Sequence, residues 1–296
     1  MSTGNAFLGK IGIWSGVWSS AQHSADPARI SEIGEAAAEL EDLGYGTIWV
    51  GGSPPVGHAA PLLEATSRIK VATGILSIWE HEAAGVAARR AELERAHPGR
   101  FVLGLGVSHS HFTPQYERPY TAMLEYLSAL DAAPEPVPAG ARVLAALGPR
   151  MLELSRDRAA GAHPYLVTAE HTAQARAILG DRAVLAPELK VVLGTDLDAA
   201  RALARAYLSF YLAMPNYTGN LTRLGFGEDD YLDGGSDRLL DAVFAFGDAD
   251  AVAARAAEFL AAGADHLAIQ VVTGDPRNDL PREAWRRLAE TLPLDG

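Results

Sequence analysis

Short apolar runs rich in β-branched and aromatic residues alternate along the chain with longer segments whose apolar residues recur every three or four positions. The short runs have the length and composition of buried strands, whereas the longer segments are typical of helices with one buried face. The pattern predicts eight strands, at residues 11–14, 47–50, 69–76, 101–107, 142–147, 164–167, 189–193 and 266–272.

The helical segments carry signals for where they begin and end. Asp26 is a favoured N-cap residue, Pro27 suits the first turn, and Gly44 follows the last apolar residue of that segment. The same reasoning predicts further helices at about residues 82–96, 120–130, 149–158, 169–179, 196–212, 249–262 and 281–292. Residues 215–246 break the alternation and predict an insertion of short helices.

Strands that alternate with helices predict a parallel sheet, and closure into a single (β/α)8 TIM barrel over residues 1–296 is the economical arrangement. An open doubly wound sheet is the alternative. Its dinucleotide-binding version needs G-x-G-x-x-G after the first strand, and the stretch Ile11–Gly16 does not fit that motif. In a barrel, the chemistry is expected at the mouth where the strands end.

Composition and charge narrow the classes of partner and chemistry. The chain has 37 acidic and 25 basic residues and a net charge of -12, which argues against a nucleic-acid or anionic-membrane partner. The absence of cysteine excludes disulfides, thiolate metal ligands and thiol nucleophiles. The chain has no signal-peptide-like start and no long apolar span, so we expect a cytoplasmic protein that acts on a small molecule.

The stretch Arg100–Pro114 ends a predicted strand with two glycines and two histidines. Its Gly-Val-Ser-His-Ser sequence at residues 106–110 is one residue short of the G-x-S-x-G nucleophile motif. Gly104 and Gly106 would let a ligand approach the strand end closely, although Gly104 also suits close packing inside a barrel. These residues leave a nucleophile, an anion site and a metal site to be weighed.

A metal site is the alternative that uses the histidines. His109 and His111 lie two residues apart, so on a strand both would share one face, and His163 and Asp275 end other predicted strands. These four residues would suit a metal-dependent barrel hydrolase, but His81-Glu82 does not continue as H-E-x-x-H because residue 85 is glycine. We expect no metal, and we expect His111 to lie at the solvated rim.

Several segments together resemble a known family. The stretch Val71–His109, with Thr-Gly-Ile-Leu followed later by Gly-Arg-Phe-Val-Leu-Gly-Leu-Gly, resembles the luciferase-like monooxygenase superfamily. Arg142–Gly180 resembles the branch of that superfamily that depends on the deazaflavin coenzyme F420. The resemblance implies a luciferase-like (β/α)8 barrel with a late insertion, hydride transfer at the barrel mouth, and a homodimer.

The resemblance also implies where the cofactor binds. The third strand would end in a non-prolyl cis peptide bond between Gly74 and Ile75, and Arg150 would meet a phosphate or carboxylate of the cofactor tail beside the helix that Pro149 opens. The cofactor-binding residues implied in this way are Gly74, Ile75, Leu76, Gly106, Val107, Ser108, Ala145, Ala146, Leu147, Gly148 and Arg150.

His109 matches a position near the reacting carbon of the cofactor, where a histidine could donate a proton because its ordinary pKa is near 6.5. The chain departs from deazaflavin-dependent relatives at the second strand, where Gly51-Gly52-Ser53 replaces an acid–histidine pair. The candidates for substrate contact are Trp14, Trp18, Trp79, Glu80, His81 and His163.

The leading hypothesis is a coenzyme F420-dependent oxidoreductase that transfers a hydride between the deazaflavin and a small organic substrate. An FMN-dependent luciferase-like monooxygenase is one alternative, because the resemblance separates F420 from FMN only in part. A metal-dependent barrel hydrolase is a second alternative. The missing acid–histidine pair motivates a third, a non-catalytic deazaflavin-binding protein.

Overall fold

The computed structural model describes residues 5–20, 26–110, 113 and 116–294. The described residues form eleven strands. They are β1 Ile11–Ser15, β2 Thr47–Gly51, β3 Lys70–Gly74, β4 Leu76–Ser77, β5 Phe101–Gly106, β6 Arg142–Leu144, β7 Gly161–Ala162, β8 Val184–Leu185, β9 Glu188–Leu193, β10 Phe244–Gly247 and β11 Leu267–Val271.

Helices connect the strands along the described chain. They are α1 Asn5–Leu8, α2 Val17–Ser20, α3 Pro27–Asp42, α4 Ala60–Glu64, α5 Ala83–Ala96, α6 Pro119–Asp131, α7 Pro149–Arg158, α8 Ala169–Leu179, α9 Leu197–Leu212, α10 Pro215–Arg223, α11 Asp237–Val243, α12 Ala249–Ala261 and α13 Arg282–Ala289. Short 3-10 helices cover Val56–Ala59, Ala139–Ala141 and Glu228–Gly234. Asp26 caps α3 by accepting a hydrogen bond from the Ala28 N–H at 3.0 Å, as its position predicts.

The strands close into a parallel barrel. Strands β1, β2, β3, β5, β6, β7 and β8 pair in that order, and β11 joins β1 to β9. Strands β8 and β9 are two parts of one run that is interrupted at Ala186-Pro187. The Ala186 N–H donates to the Ala162 carbonyl at 2.9 Å, and the Ala268 N–H donates to the Pro187 carbonyl at 3.0 Å. Strands β7 and β11 therefore both stay hydrogen-bonded to this run across the interruption, and the sheet closes. The predicted TIM barrel is confirmed.

The sixth strand is not where the sequence predicts it. It is the two-residue β7 at Gly161–Ala162, and residues 164–167 form a loop at the barrel mouth. A Cβ on Gly161 would lie 1.9 Å from the Val184 carbonyl oxygen, so only glycine fits where β7 meets β8. The prediction was wrong because it looked for a run of large apolar residues.

The late insertion is mostly helical. Helices α10 and α11 and the 3-10 helix at Glu228–Gly234 occupy residues 215–243, as the sequence predicts. Residues Phe244–Gly247 instead form β10, which pairs in parallel with Lys190–Leu193. Among the described residues, no helix combines the length and the apolar character that crossing a membrane requires.

Large and small side chains alternate in the barrel interior. Trp14 and Trp49 pack there against Ala72, Val102, Val143 and Ala268 from neighbouring strands. Gly104 belongs to the same layer, because a Cβ on it would lie 1.9 Å from the Thr73 carbonyl oxygen. The Thr73 hydroxyl donates to the Gly104 carbonyl at 2.7 Å, so these two strands approach unusually closely. This close approach brings the ends of β3 and β5 together at the mouth.

Candidate active site

A cavity of about 800 Å³ opens at the C-terminal ends of the barrel strands. Residues at or just after the C-terminal ends of β1, β2, β3, β5, β6 and β7 line it, and the insertion helix α10 contributes to its wall. This is the end of the barrel where the sequence analysis expects the chemistry. A pocket of this size and position is typical of a site for a small ligand.

One wall of the cavity is apolar and lies over β3, β5 and β6. The Gly74–Ile75 peptide bond is cis, as the family resemblance implies. Ile75, Val107, Ala145 and Leu147 line this wall. A Cβ on Gly106 would lie 2.3 Å from Ile75 Cδ1, so the wall has no room for a larger residue at position 106. The wall offers a smooth apolar surface at the base of the cavity.

Trp14 lies flat on the ends of β2 and β3. Its indole N–H donates to the Gly74 carbonyl at 2.9 Å. A Cβ on Gly51 would lie 2.6 Å from the indole ring, and one on Gly74 would lie 2.7 Å from Trp14 Nε1. The indole therefore requires glycine at position 51. Trp14 lines the cavity, as predicted for a substrate contact.

Another part of the cavity is cationic. It is lined by the N-terminus of α7, where Gly148 is the N-cap and Pro149 the first helical residue. The Arg150 guanidinium lies 4.2 Å from the centre of the Tyr120 ring. Arg223 of α10 also lines the cavity, and its Nη2 lies 3.8 Å from the position of a Cβ on Gly148. Two guanidinium groups and a helix N-terminus together suit an anionic group.

His109 lines the cavity between the β5 end and the insertion. Its ring centre lies 5.0 Å from that of Tyr217 on α10. Burial lowers the pKa of His109, which favours the neutral imidazole. Before it, Ser108 has a left-handed backbone with φ +54, and its carbonyl accepts a hydrogen bond from Asn216 Nδ2 at 3.4 Å. His111 lies outside the described residues.

His163 is buried at the base of the cavity, with 1% of its surface exposed. Its Nδ1–H donates to the Ala186 carbonyl at 2.7 Å, and its ring stacks on Trp49 with the ring centres 4.0 Å apart. Burial lowers the pKa of His163 to about 4, so the ring is neutral at neutral pH. Its Nε2 has no hydrogen-bond partner among the described residues.

A cluster of tyrosines closes the inner end of the cavity. The Tyr165 hydroxyl lies 2.8 Å from that of Tyr207 and 3.0 Å from that of Tyr211, and it donates to Gln270 Oε1 at 2.8 Å. Lys190 Nζ lies 3.8 Å from the centre of the Tyr165 ring. Burial raises the pKa of each of these tyrosines, so all three phenols keep their protons. Tyr165 and Tyr211 line the cavity with their rings.

Most of the sequence-predicted residues lie on the cavity wall. These are Trp14, Gly74, Ile75, Glu80, Gly106, Val107, Ser108, His109, Ala145, Ala146, Leu147, Gly148, Arg150 and His163. Their roles as catalytic, cofactor-binding or substrate-binding residues stay predictions. Sequence reasoning missed Tyr165, Tyr211, Tyr217 and Arg223. In the sequence these residues fall in loops or amphipathic segments and carry no motif.

Four candidates lie off the wall of this cavity. Leu76 is fully buried in the hydrophobic core, and Trp18 stacks on Trp285 with the ring centres 5.6 Å apart. The Trp79 indole N–H donates to the Val107 carbonyl at 2.6 Å from behind the wall. The His81 Nε2–H donates to the Ser53 carbonyl at 3.4 Å. His81 lines a smaller neighbouring cavity. These four residues are not part of the cavity lining, and their roles in binding stay predictions.

The residues proposed for a metal site have separate environments. Asp275 accepts a hydrogen bond from Asn278 Nδ2 at 2.8 Å in a surface turn, whereas His163 is deep in the barrel. Within the described part of the chain, no three His, Asp or Glu side chains come together as a metal-binding group.

Comparison with known proteins finds a family match over part of this barrel. Residues 10–139 match the luciferase-like monooxygenase family. This match agrees with the resemblance found in the sequence, and it includes strands β1 to β5 with Ile75 and Val107 of the apolar wall.

Two sequence relatives illustrate the range of proteins to which the chain is similar. A 4-hydroxyprotoasukamycin monooxygenase from Streptomyces nodosus subsp. asukaensis is 34% identical over 120 residues, which are 35% of this chain and 32% of that protein. The alignment thus spans about a third of that monooxygenase. An uncharacterised protein from Mycobacterium tuberculosis is 24% identical over 253 residues, which are 68% of this chain and 74% of that protein.

Solved structures agree with the luciferase-like fold over nearly the whole chain. The coenzyme F420-dependent tetrahydromethanopterin reductase of Methanopyrus kandleri has a TM-score of 0.73 at 17% identity, covering 96% of this chain and 98% of that one. An F420-dependent secondary alcohol dehydrogenase has a TM-score of 0.71 at 14% identity, with the same coverage. The oxygenating constituent of 3,6-diketocamphane monooxygenase from Pseudomonas putida, solved in complex with FMN, has a TM-score of 0.69 at 15% identity. The match covers 96% of this chain and 99% of that one.

Proposed function

We propose that this luciferase-like protein is an oxidoreductase that binds coenzyme F420 at the barrel mouth and transfers a hydride between it and a small organic substrate. The observation that carries the proposal is a single cavity that combines an apolar wall with a cationic region. The apolar wall at Ile75, Val107 and Ala145 suits the face of a tricyclic ring, and Arg150 with Arg223 suits an anionic tail. The two F420-dependent neighbours support this choice of cofactor.

The residues present fit such a cofactor in shape and charge. Glycines at positions 74 and 106 leave no side chain between the apolar wall and a flat ring. Pro149 has no N–H, so the first backbone donor of α7 is the N–H of Arg150, which cannot make a bond within the helix and is available to an anion. When bound, F420 supplies a carbon that accepts or gives up a hydride. The protein's part is to orient the two reactants and to exclude water.

His109 is the residue proposed to hold and hand over a proton beside the ring. Because burial lowers its pKa, His109 carries a second proton only at pH values below the ordinary range of histidine. The phenol of neighbouring Tyr217 has its pKa raised well above its ordinary value, so it stays protonated and can donate a hydrogen bond. An imidazole and a phenol thus face the same part of the cavity.

Fluorescence titration with F420 and with FMN, each alone, tests the cofactor. We expect F420 to bind near micromolar concentration, and Arg150→Ala and Arg223→Ala to weaken it by roughly tenfold to a hundredfold each, because each removes a charged hydrogen-bond donor. Arg156→Ala is the matched control. Arg156 is on the same helix but at its far end, where it pairs with exposed Asp157. Its substitution should leave the dissociation constant unchanged.

An FMN-dependent monooxygenase is the second candidate, because the Streptomyces relative is a monooxygenase by name. Tight FMN binding without F420 binding would replace the first proposal by this one. Binding of F420 without turnover on a panel of activated alkenes, imines and ketones would favour a non-catalytic binding protein. Loss of F420 affinity in the Arg156 variant as well would show that the arginine effects are not local.

A further inference from the structure

The imidazole of His163 is held in one tautomer. A carbonyl oxygen can only accept, so the 2.7 Å contact with Ala186 fixes the proton on Nδ1. Nε2 then carries a lone pair and no proton. The ring cannot turn over to exchange the two nitrogens without losing this bond and leaving the Ala186 carbonyl unsatisfied.

A second histidine fixes the plane of the His163 ring. Trp49, on which the ring stacks, donates its indole N–H to His266 Nε2 at 2.9 Å. The His266 Nδ1–H donates to the Gly9 carbonyl at 2.7 Å. Burial lowers the pKa of His266 to about 3, so this ring is also neutral. The stack of rings is thus attached to the backbone at both ends.

His163 Nε2 lacks the hydrogen bond that the other ring nitrogens of this stack make. His163 lines the cavity, it is 1% exposed, and its Nε2 has no partner among the described residues. A buried acceptor without a donor has lost its hydrogen bonds to water and gained none in return, so it destabilises the site. Such a cost is recovered when a ligand with a suitable donor fills the cavity.

We propose that His163 Nε2 accepts a hydrogen bond from an O–H or N–H group of the bound ligand, and that the site thereby selects ligands with such a donor at their inner end. The inference deepens the proposed function, on which it rests for the identity of the cavity as the reaction site. The donor belongs either to the cofactor or to an alcohol-type or amine-type substrate.

His163 acts here by recognition and not by taking the proton. Burial, and to a smaller extent the charge of Lys190, oppose a cationic imidazole at His163. A group that stays neutral throughout the operating range accepts a hydrogen bond without becoming charged. His163 is therefore a specificity-determining residue, and its role is distinct from that of His109.

Nitrogen-15 NMR of histidine-labelled protein tests the tautomer and the contact directly. The His163 signals are assigned by their absence in His163→Phe, which keeps a ring for stacking on Trp49. In the free protein we expect a protonated Nδ1 and a bare Nε2. The opposite tautomer, or an Nε2 that already shows a hydrogen bond in the free protein, would overturn the proposal.

Separate titrations with different ligands then show whether the cofactor or the substrate supplies the hydrogen-bond donor. F420 and FMN are added separately, followed by cyclohexanol or methoxycyclohexane, which differ in having or lacking an O–H donor. An Nε2 shift with F420 or FMN assigns the donor to the cofactor, and a shift with cyclohexanol alone assigns it to the substrate. If Nε2 is unchanged in every arm, the proposal is wrong.

Affinity gives an independent readout. Wild-type protein should bind cyclohexanol about threefold to tenfold more tightly than the ether, or should bind the cofactor more tightly than His163→Phe by that factor. His171→Phe is the control, since this buried histidine donates to the Leu147 carbonyl from outside the cavity wall. The alcohol arm also works without cofactor, so failure of F420 binding would overturn the proposed function and leave this test intact.

Discussion

At the scale of single residues, the site depends on places where a side chain is missing. Gly51 and Gly74 make room for the indole of Trp14, and Gly106 makes room for Ile75. None of these glycines has a positive φ, so glycine is required here for its lack of a side chain. The smooth wall over β3 and β5 is therefore built as much from absent Cβ atoms as from the apolar side chains that remain.

The same spatial argument makes a prediction for Gly104. Gly104→Ala would place a Cβ 1.9 Å from the Thr73 backbone oxygen, which cannot move without parting β3 from β5. We expect a loss of about 3 kcal/mol or more in the free energy of unfolding, at the upper end of what overpacking costs.

Urea denaturation measures this loss, with Gly85→Ala as the control. Gly85 lies in exposed helix α5 with open space around it, so an alanine there should stabilise the protein by about 0.5–1 kcal/mol. An unchanged unfolding free energy in Gly104→Ala would contradict the close approach of the two strands.

Residues of the site differ in how visible they are in the sequence. The glycines and His109 were found because they end a recognisable strand and match a family pattern. Tyr165 and Tyr217 were missed because an aromatic residue in an amphipathic segment looks like a core residue, and both do pack against the core. Only the fold brings their rings to the same cavity as His163.

At the scale of elements, Glu41 joins helix α3 to the segment that leads into β3. Its carboxylate accepts hydrogen bonds from the N–H groups of Ser67, Arg68 and Ile69, and from the Ser67 hydroxyl at 2.9 Å. Burial opposes ionisation, but these donors outweigh it and lower the pKa of Glu41 to about 2. The carboxylate thus replaces a missing partner for three backbone groups.

Glu41→Gln should therefore destabilise the protein in a pH-dependent way. The depressed pKa contributes stability above about pH 4.5, and that stability is lost as the pH falls from 4.5 towards 2. We expect a loss of about 1–2 kcal/mol at pH 7 and a much smaller one near pH 3. Thermal unfolding at both pH values measures it. Glu92→Gln, at an exposed pair with Arg89, should change little at either pH.

Helices whose ends are marked by capping residues or prolines were predictable from the sequence. Strands whose position depends on pairing with strands distant in the sequence were not. Helices α3, α7 and α9 begin where a capping residue or a proline predicts. Strand β7 was misplaced because its small residues are required by β8, which is distant in sequence. Strand β10 was read as part of the insertion because its pairing with β9 depends on the closed barrel.

At the scale of the whole molecule, the closed barrel encloses a charged pair. Lys190 Nζ lies 2.7 Å from Glu188 Oε2, and both residues are almost fully buried. Burial raises the pKa of Glu188 and lowers that of Lys190, so each group depends on the other to stay ionised. The pair is also the floor beneath Tyr165.

Replacing only one residue of the Glu188–Lys190 pair should lower the free energy of unfolding more than replacing both. We expect Lys190→Met to lower the free energy of unfolding by about 3–5 kcal/mol, because it leaves a buried carboxylate without a cation. The double variant Glu188→Leu with Lys190→Met should recover most of that loss, as apolar replacements of buried pairs do. Chemical denaturation of the two variants and the wild type gives the comparison. Equal losses in the single and double variants would contradict mutual dependence.

The position of α10 has a consequence for how this protein could change. The apolar wall and His163 belong to the barrel, where they lie at the ends of hydrogen-bonded parallel strands. Tyr217 and Arg223 belong to a segment that takes no part in the strand ladder. Residues 215–243 can therefore be lengthened, shortened or replaced without breaking a single strand pair. Grafting this segment from another barrel of the same kind should alter which molecules are accepted while the apolar wall stays the same.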